Sequence, residues 1–481
     1  MPNPNSLDQN IYRNLAAQIQ SGFYSDGERF PSAQEIARLF HVSYGPAQRA
    51  LKVLEKEGLV KIGRGKETIV LKKPYDNFLE SDAFKTRIHS LIDLSKSLRL
   101  LSPVINIQGM NHMDLEKELA SPLPENNRIE QWRTLYWLFR DSLTALGNQT
   151  IHDLYHDINS FIESSFVDIY WLAHVEDENR LLNQLIYDYR TCLENCKNGK
   201  LTDTKKGLEA ISTPFHDTIE HYLENLPVDR NIQQAFSWSP QKGRTRYCDM
   251  IAIDLVRKIN HGTFPAGTLL PNGAILADLY HVSGITMRRT IAILNKLGIV
   301  KTVNGVGTRI VSTENTETSD KLKALVLGNN LRTFLEAYQL LVITCAPIIR
   351  LSFPYFPGKQ IQELQQAACI QEPNTAVTAL SSSLLQAIIR YCPLASIQEI
   401  YSKLTLLLLN GSALSYDTPG VAPVWPAISG KLKQALEEKD NHRFASVYTQ
   451  LQNDIFILLK SRLNNIGVAG IDQIAIPVFC E

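Results

Sequence analysis

Apolar side chains between residues 11 and 57 recur at the spacing of helices. Leu15 and Ile19 lie on one face of a first helix. Ser32 and Glu35 form a Ser-x-x-Glu capping box, which predicts the start of a short second helix. Ser43 can cap a third helix, and this helix has the apolar stripe Ala47, Ala50, Leu51 and Leu54. The pattern therefore predicts three short helices, of which the last two form a helix-turn-helix.

Two short runs with strand alternation follow the third helix. They cover residues 59–62 and 68–71, and the segment between them is Gly63-Arg64-Gly65-Lys66. Glycines in a short connection between alternating runs are typical of a β-hairpin, and this hairpin would have a basic tip. Three helices followed by a two-stranded hairpin predict a winged-helix domain, whose third helix would enter the major groove of DNA.

The same pattern occurs a second time, displaced by 240 residues. His41-Val42-Ser43 reappears as His281-Val282-Ser283, Gly58 as Gly298, and Thr68 as Thr308. A constant offset means that no net insertion or deletion separates the copies, which chance similarity would rarely produce. The chain therefore contains a tandem duplication, with a second winged-helix domain over residues 251–311.

The segments that follow the two winged helices carry helical periodicity almost throughout. Leucines recur at spacings of three and four in both, and the first segment has Leu91, Leu94, Leu98 and Leu101. A faint similarity between residues 101–105 and 345–349 also relates the two segments. We therefore predict a mainly α chain in which two winged helix-turn-helix domains, each with a small β-hairpin wing, alternate with two all-helical bundles. The predicted domains are a first head at 1–75, a first body at 76–240, a second head at 241–313 and a second body at 314–481.

Basic side chains are concentrated in the two predicted heads. Residues 1–75 contain eleven Lys or Arg against seven acids, and residues 241–313 contain ten against three. The whole chain is neutral, with 49 basic and 49 acidic side chains, so the bodies carry a net negative charge. This division indicates heads that face phosphates and bodies that the duplex would repel.

Several short motifs of the heads resemble the GntR family of bacterial transcription regulators. The first head keeps Pro31-Ser32, Val42-Ser43, Gly58-Leu59-Val60 and Gly65-x-x-Thr68. The second head keeps Pro271, Val282-Ser283, Gly298-Ile299-Val300 and Gly305-x-Gly307-Thr308. The resemblance covers about a quarter of the chain and implies binding to an operator in double-stranded DNA. The bodies look like the effector domains of the FadR subgroup, which implies a small-molecule effector whose identity the sequence does not give.

The resemblance also implies which side chains face DNA. The family often presents Arg at three positions where the first head of this chain has Gln34, Tyr44 and Gln48. At the corresponding positions of the second head, only Arg288 is an arginine. Because Gln can read adenine and Arg can reach phosphate or guanine, binding is still expected. An alternative is that one head has become a structural spacer. The expected DNA-binding residues are Ser32, Gln34, Ser43, Tyr44, Gln48, Arg49, Arg64, Lys66, Asn272, Ser283, Thr286, Arg288 and Arg289.

FadR-like bodies commonly bind a divalent metal through an acid and three histidines, so the histidines of the first body are candidate ligands. His152 and His156 are one helical turn apart, and His216 is a conceivable third ligand. The alternative is a solvated helix face, since a pair of histidines is a weak signature. The aromatic cluster Trp132, Tyr136, Trp137 and Phe139 allows an effector pocket, but core packing is the favoured interpretation.

The sequence contains no catalytic constellation, such as a phosphate-binding loop or a nucleophile elbow, so an enzyme is not expected. With no leader and no apolar run of about 18 residues, we expect a cytoplasmic protein that does not enter membranes. We therefore predict a transcription regulator whose two heads read two half-sites as a single-chain pseudo-dimer, modulated by an effector in the bodies. The alternative is a partner-binding helical scaffold with winged helices that no longer read DNA. Whether two chains form a homodimer stays open.

Overall fold

The computed structural model describes residues 6–20, 22–40, 42–63, 67–71, 78–122, 127–174, 178–226, 233–240, 247–260, 263–265, 267–311, 316–413 and 425–478. The chain forms two compact units. Unit 1 consists of Met1–Lys242 with Pro393–Ile400 and Val478–Glu481, and unit 2 of Gly243–Cys392 and Tyr401–Pro477. Unit 1 contains the first head and the first body, and unit 2 contains the second head and most of the second body. The boundaries of the four predicted domains stay a prediction.

The first head contains three helices and a small antiparallel sheet. Its elements are α1 (Leu7–Gln20), β1 (Arg29–Phe30), α2 (Ala33–Leu39), α3 (Tyr44–Lys56), β2 (Val60–Lys61) and β3 (Thr68–Val70). The strand β3 lies between β1 and β2, and Arg29 is opposite Ile69. The sequence predicted a wing of two strands, and the structure adds β1 as a third. Two residues are too few to show an alternating pattern, so periodicity could not reveal this strand.

Local capping explains why the helix-turn-helix begins where it does. The Ser32 Oγ accepts a hydrogen bond from the Glu35 amide at 3.3 Å, and the Glu35 carboxylate accepts one from the Ser32 amide at 2.8 Å, which confirms the predicted capping box. Arg29 donates to the same carboxylate at 2.7 Å. Hydrogen bonds from Arg29 and from the Ser32 amide lower the pKa of Glu35 to about 2. The head closes over fully buried side chains at Leu15, Ile36, Ala47 and Leu54.

The second head repeats this arrangement in unit 2. Its elements are α12 (Tyr247–Asn260), α13 (Gly273–Leu279), α14 (Gly284–Lys296), β4 (Val300–Val303) and β5 (Gly307–Ile310). Asn272 takes the capping role of Ser32, since its Oδ1 accepts hydrogen bonds from the amides of Ala274 at 3.0 Å and Ile275 at 2.9 Å. Leu276, Met287 and Leu294 form its core. The prediction of two winged helix-turn-helix domains in a mainly α chain is therefore confirmed.

The first body is a bundle built around one long helix. Its helices are α4 (Asp82–Lys85), α5 (Ile88–Met110), α6 (Leu115–Ala120), α7 (Arg128–Ala145), α8 (Gln149–Ile162), α9 (Ser165–Ala173), α10 (Glu178–Lys197) and α11 (Leu201–Glu224), preceded by a 3-10 turn at Phe78–Glu80. The central α5 packs against α7 and α11. At Gly109 an added Cβ would lie 2.1 Å from the backbone oxygen of Ser142, so α5 and α7 approach closely only because a glycine is there.

The second body is also built around one long helix. Its helices are α15 (Thr316–Ser352), α16 (Gly358–Ala368), α17 (Pro373–Tyr391), α18 (Ala395–Leu408), α19 (Trp425–Glu437) and α20 (Asn441–Asn465), with 3-10 turns at Phe353–Tyr355 and Leu409–Ala413. Pro103 of α5 and Pro347 of α15 both lie inside the long helix of their bundle. The faint similarity between the bodies therefore coincides with equivalent structural positions.

One described segment, Leu327–Tyr355, is by length and composition apolar enough to cross a membrane, a run that the sequence analysis missed. Most of this segment is buried inside the protein, where α15 packs against α20. Leu331, Leu335 and Ile348 of this segment are fully buried core residues. The apolar character of the segment is therefore accounted for by the packing of the second body.

Candidate nucleic-acid interface

The N-terminal half of α3 presents the predicted reading side chains of the first head. Tyr44 is 50% exposed at the first position of the helix. Ser32, Gln34 and Ser43 are also exposed, and Gln48 is half-buried. These positions form one accessible edge of the helix-turn-helix, as an element that reads DNA requires. Arg64 and Lys66 of the predicted basic wing tip lie outside the described residues.

Arg49 has a partner that the sequence analysis did not anticipate. Its guanidinium is 3.5 Å from the carboxylate of Asp8, at the start of α1, and its side chain is 59% exposed. The spacing of Asp8 and Arg49 along the chain gives no sign of this pair, because it depends on how α1 crosses α3. Arg49 must therefore break its ion pair with Asp8 before its guanidinium can contact a DNA phosphate.

The second head presents a stronger positive charge. Arg288 and Arg289 are adjacent, exposed residues of α14, and within the described part of the chain neither takes part in an ion pair. The Ser283 hydroxyl caps α14 by accepting from the Thr286 amide at 3.2 Å. Asn272 is exposed at the start of α13. The arginine pair can therefore reach phosphate or guanine without first breaking an internal contact.

The wing of the second head differs from the sequence of the first wing at its tip. Gly305 and Gly307 have φ of +76° and +128°, which explains the Gly-x-Gly spacing, since other residues rarely adopt these angles. Between them Val306 is exposed. At an offset of 240 this valine corresponds to Lys66, so the second wing carries an apolar side chain where the first carries a cation.

Apolar exposure on the second head is a feature that the sequence analysis missed. Ile275 and Leu279 of α13 and Ile285 of α14 are each 57% exposed. The first head has Glu35 and Gly45 where the second has Ile275 and Ile285. Helical periodicity could not separate these side chains from core, because α13 has only seven residues.

Polar contacts hold the first head against the first body within unit 1. The Asn14 side chain donates to the backbone oxygen of His156 at 3.1 Å, and the Gln18 amide donates to the Tyr136 hydroxyl at 3.0 Å. Asn10 also donates to the Asp157 carboxylate. The helix α1 is thereby fixed to α7 and α8.

Arg133 of α7 makes a second set of contacts with the first head. Its guanidinium donates to the backbone oxygen of Phe23 at 2.9 Å and 2.6 Å, and to the Glu28 carboxylate at 2.7 Å and 2.6 Å. It also lies over the rings of Phe23 and Tyr24. One side chain of the body therefore holds the loop that joins α1 to β1.

The aromatic cluster of α7 has several roles. Tyr136 and Trp137 contact the Phe23 ring of the head, with centroid distances of 5.0 Å and 6.1 Å, whereas Trp132 contacts Trp171 inside the body. Phe139 packs edge-on to Tyr155 at 5.3 Å. The favoured interpretation as plain body core was therefore incomplete, because the cluster also forms the surface on which the head docks.

A cavity of about 360 Å³ lies at this contact between head and body. Its head wall comes from α1 and α2, with Phe40 at the end of α2, and its body wall comes from α7 and α8. The side chains that line it include Asn14, Arg38, Phe40, Tyr136, Phe139, Arg140, His152 and His156. Burial raises the pKa of Tyr136, which therefore stays protonated as a hydrogen-bonding hydroxyl.

The structure does not assemble the predicted metal site. His152 and His156 are close, with ring centroids 6.5 Å apart, and both line the cavity. His216 belongs to α11, where its Nδ1 is 2.8 Å from the Ser95 Oγ and its ring lies edge-on to Phe166. Among the described residues no group of three or more His, Cys, Asp or Glu is placed to hold a metal ion. The correction follows from packing, because the side chain of His216 is turned into the interior of the bundle.

Two winged helices in one chain, each with an exposed recognition helix, define a duplicated DNA-binding fold. Residues 7–70 and 248–310 each match the model of the family described as bacterial regulatory proteins, gntR family. Both heads are therefore GntR-type winged-helix domains, and the resemblance stated from the motifs is confirmed for them. The closer likeness of the bodies to the FadR subgroup stays a prediction. A comparison with curated proteins finds no match.

A search of solved structures gives several matches. They include Streptococcus agalactiae GntR, with 18% identity over 44% of this chain and 99% of that chain and a TM-score of 0.18. A structure titled for Lar, which controls the Listeria monocytogenes agr system, has 13% identity over 45% and 98% and a TM-score of 0.21. A GntR family member from Pseudomonas syringae pv. tomato has 14% identity over 45% and 86% and a TM-score of 0.17. At these values the matches add no argument about function.

Proposed function

We propose that this chain is a sequence-specific, DNA-binding transcription regulator whose two heads read two half-sites as a single-chain pseudo-dimer. The observation that carries the proposal is the presence of exposed arginines on the recognition helices of two GntR-type heads, Arg49 in the first and the pair Arg288 and Arg289 in the second. The basic surplus of both heads over the acidic bodies supports contact with phosphates. Such a protein has no need of a catalytic site, and it would work in the cytoplasm.

The two heads are expected to read different sequences. Tyr44 opens the first recognition helix, whereas Gly284 opens the second, and the following side chains differ as well. Base readout depends on these side chains, so the operator should be asymmetric, with half-sites separated by about one helical turn of DNA, ~34 Å. Because both heads belong to one chain, binding of one raises the effective concentration of the other at its half-site.

The test is selection of bound sequences from a random duplex pool by the full chain. Wild type should enrich a bipartite motif, Arg49→Ala should lose one half, and Arg288→Ala/Arg289→Ala should lose the other. Lys359→Ala, an exposed basic residue of the second body, is the matched control and should select the wild-type motif. Enrichment of one half-site by wild type would mean that one head is a structural spacer, and two identical half-sites would contradict an asymmetric readout.

Exposed apolar side chains on the second head favour a second candidate function, in which the winged helices bind a protein partner. Ile275, Leu279 and Ile285 would then contact the partner and the bodies would serve as a helical scaffold. Salt separates the two functions. Phosphate contacts release counterions, so DNA binding should weaken steeply between 50 mM and 200 mM salt, by about 10³-fold or more for six or more contacts. No enrichment of any sequence would favour the scaffold.

A further inference from the structure

We infer that the cavity between the first head and the first body binds a small organic anion, and that this ligand regulates the first head. The regulatory part rests on the proposed function, whereas ligand binding itself does not. The original expectation was an effector within the bodies. The structure suggests a site whose walls come from head and body together, so that a ligand would contact the helix-turn-helix directly.

The charge of the lining favours an anion. Two arginines, Arg38 on α2 and Arg140 on α7, line the cavity together with one acid, Glu35. Arg140 pairs with Asp141 beside it. The Glu35 carboxylate already accepts hydrogen bonds from Arg29 and from the Ser32 amide. A guanidinium presents a planar fork of donors that matches the two oxygens of a carboxylate or the oxygens of a phosphate. The cavity therefore offers a cationic side chain from each of two opposite walls.

Arg140 is held in place for this role. Its guanidinium lies 4.2 Å from the ring centroid of Trp137 and 3.1 Å from the carboxylate of Asp141, which is itself partly exposed. Stacking on an indole fixes the plane of the guanidinium. Its Nε and Nη2 donate to the Asp141 carboxylate at 3.3 Å and 3.1 Å, so Nη1 is the nitrogen left to contact a ligand. Ordering of this side chain therefore costs the ligand less free energy than ordering of a mobile one would.

The remaining walls suit an apolar body on the ligand. The cavity includes the rings of Phe40 and Phe139 and the side chain of Leu143, and amide groups from Asn14 and Asn159. Sites of a few hundred Å³ with apolar walls and a small number of polar groups are typical of small-molecule binding. An acid group attached to a ring or a branched chain of similar size fits this combination.

The position of the cavity connects a ligand to DNA reading. Arg38 and Leu39 belong to α2 and Phe40 ends it, and α3 begins at Tyr44. The opposite wall belongs to the body. A ligand that contacts both walls binds the docked head more tightly than an undocked head, and therefore shifts the population toward the docked head. If the docked and undocked heads differ in their access to DNA, the ligand must change the affinity for DNA. By linkage, DNA then changes the affinity for the ligand by an equal free energy.

The second repeat lacks the same charges. At an offset of 240, Arg38 corresponds to Asp278 and Asn14 to Asp254. Asp254 accepts a hydrogen bond from the Tyr280 hydroxyl at 2.6 Å and pairs with Lys258 at 3.0 Å. Two acids at these positions would repel an anion. We therefore expect one anion site per chain.

The experiment is calorimetric titration of the full chain with three probes of similar shape and different charge: benzoate, neutral benzamide and cationic benzamidine. Benzoate should bind at one site per chain with a Kd of about 1 mM, as expected for a ligand of so few atoms. Benzamide should bind at least about 10-fold more weakly than benzoate, and benzamidine should not compete with benzoate. Arg38→Gln and Arg140→Gln should each weaken benzoate binding about 10-fold, because each removes a charge-assisted hydrogen bond. Arg140→Lys, which keeps the charge and loses the planar guanidinium, should be intermediate.

Lys359→Gln is the matched control and should leave benzoate binding unchanged, and circular dichroism should show that all variants are folded. Three results would each overturn the anion site. They are no binding of benzoate, equally tight binding of benzoate and benzamide, and full benzoate affinity in the Arg38→Gln/Arg140→Gln double variant. Once a selected DNA is in hand, benzoate should change its Kd about 5-fold or more in wild type but not in the double variant. An unchanged Kd would overturn the regulatory part. Benzoate binding by a chain that selects no DNA would refute the proposed function and leave the anion site standing.

Discussion

The ring of Phe40 stacks on the imidazole of His156 with 4.7 Å between ring centroids and 27° between planes. Phe40 ends α2 of the first head, and His156 lies in the middle of α8 of the first body. The helix-turn-helix therefore rests directly on the body at a point next to the cavity. Stability and DNA reading of this head should both depend on this contact surface.

We expect Arg133→Gln to loosen the first head from its body. The change removes the ion pair with Glu28 and the hydrogen bonds to the Phe23 backbone, and it should cost about 1–2 kcal/mol, since the pair is only partly buried. Thermal unfolding and limited proteolysis should show the head opening before the body. Arg443→Gln breaks an exposed pair with Glu438 and is the control. Equal melting and equal cleavage of both variants would mean that Arg133 does not hold the head.

Asp8→Asn should strengthen binding of DNA by the first head. The carboxylate competes with phosphate for Arg49, and exposed ion pairs of this kind are worth about 0.2–1 kcal/mol, so the Kd should fall up to about 5-fold. Fluorescence anisotropy with a selected duplex at low salt measures the effect. Glu437→Gln, which removes an exposed acid of the second body, should leave the Kd unchanged. A weaker complex with Asp8→Asn would show that Asp8 orients Arg49 for binding instead of competing for it.

Gly109→Ala should destabilise the first body. The new Cβ would meet the Ser142 backbone at 2.1 Å, so α5 and α7 must separate, at a cost of about 1–3 kcal/mol or more. Gly430→Ala in α19 is the matched control, because nothing lies within 4 Å of its Cβ position and alanine is the better helix former, which should stabilise by up to about 1 kcal/mol. Chemical denaturation distinguishes opposite signs. A neutral Gly109→Ala would mean that the helices can separate without loss of packing.

His216 should make unit 1 less stable in mild acid. Burial, and next the charge of Arg99, lower the pKa of His216 from 6.5 to about 4. Between these pH values the unfolded chain therefore binds more protons than the folded chain. The contribution of neutral His216 to the free energy of unfolding is full above pH 6.5 and falls by about 2 kcal/mol by about pH 5. The Ser95 Oγ lies 2.8 Å from the His216 Nδ1 and also donates to the Glu220 carboxylate at 3.1 Å.

The pH dependence is measured by denaturation at several pH values in wild type and His216→Gln. The variant should lose less stability than wild type between about pH 7 and pH 5. His442→Gln, at an exposed histidine of α20, serves as the matched control and should follow wild type. Parallel curves for wild type and His216→Gln would show that His216 does not remain neutral in the folded protein.

The heads were predictable from sequence because their determinants are local. The capping box of Ser32 and Glu35 and the Gly-x-Gly spacing of the second wing act over a few residues, and landmarks repeated at an offset of 240 identified the second head. The strand β1 could not be predicted, because its two residues gain their conformation from pairing with β3. The local sequence pattern therefore predicts both winged helices but not the edge strand β1.

The cavity depends on residues that are far apart in sequence. Arg38 and Arg140 are separated by about a hundred positions, and they face one space only because α1 and α2 dock on α7 and α8. The sequence indicates the pair His152 and His156, but residue type alone suggests His216 as a third ligand and gives no information about where α11 places it. Sequence identified individual side chains here, and their grouping required the tertiary fold.

The exchange of Arg38 for Asp278 has an evolutionary consequence. In a symmetric dimer of identical chains, each substitution appears in both subunits. A change that benefits one subunit therefore also alters the other. Fusion of two copies into one gene removes this restriction, and an arginine in one half can coexist with an aspartate at the equivalent place in the other. Tandem duplication has in this way allowed each half of the molecule to acquire a chemistry that an obligate pair of identical subunits could not keep separate.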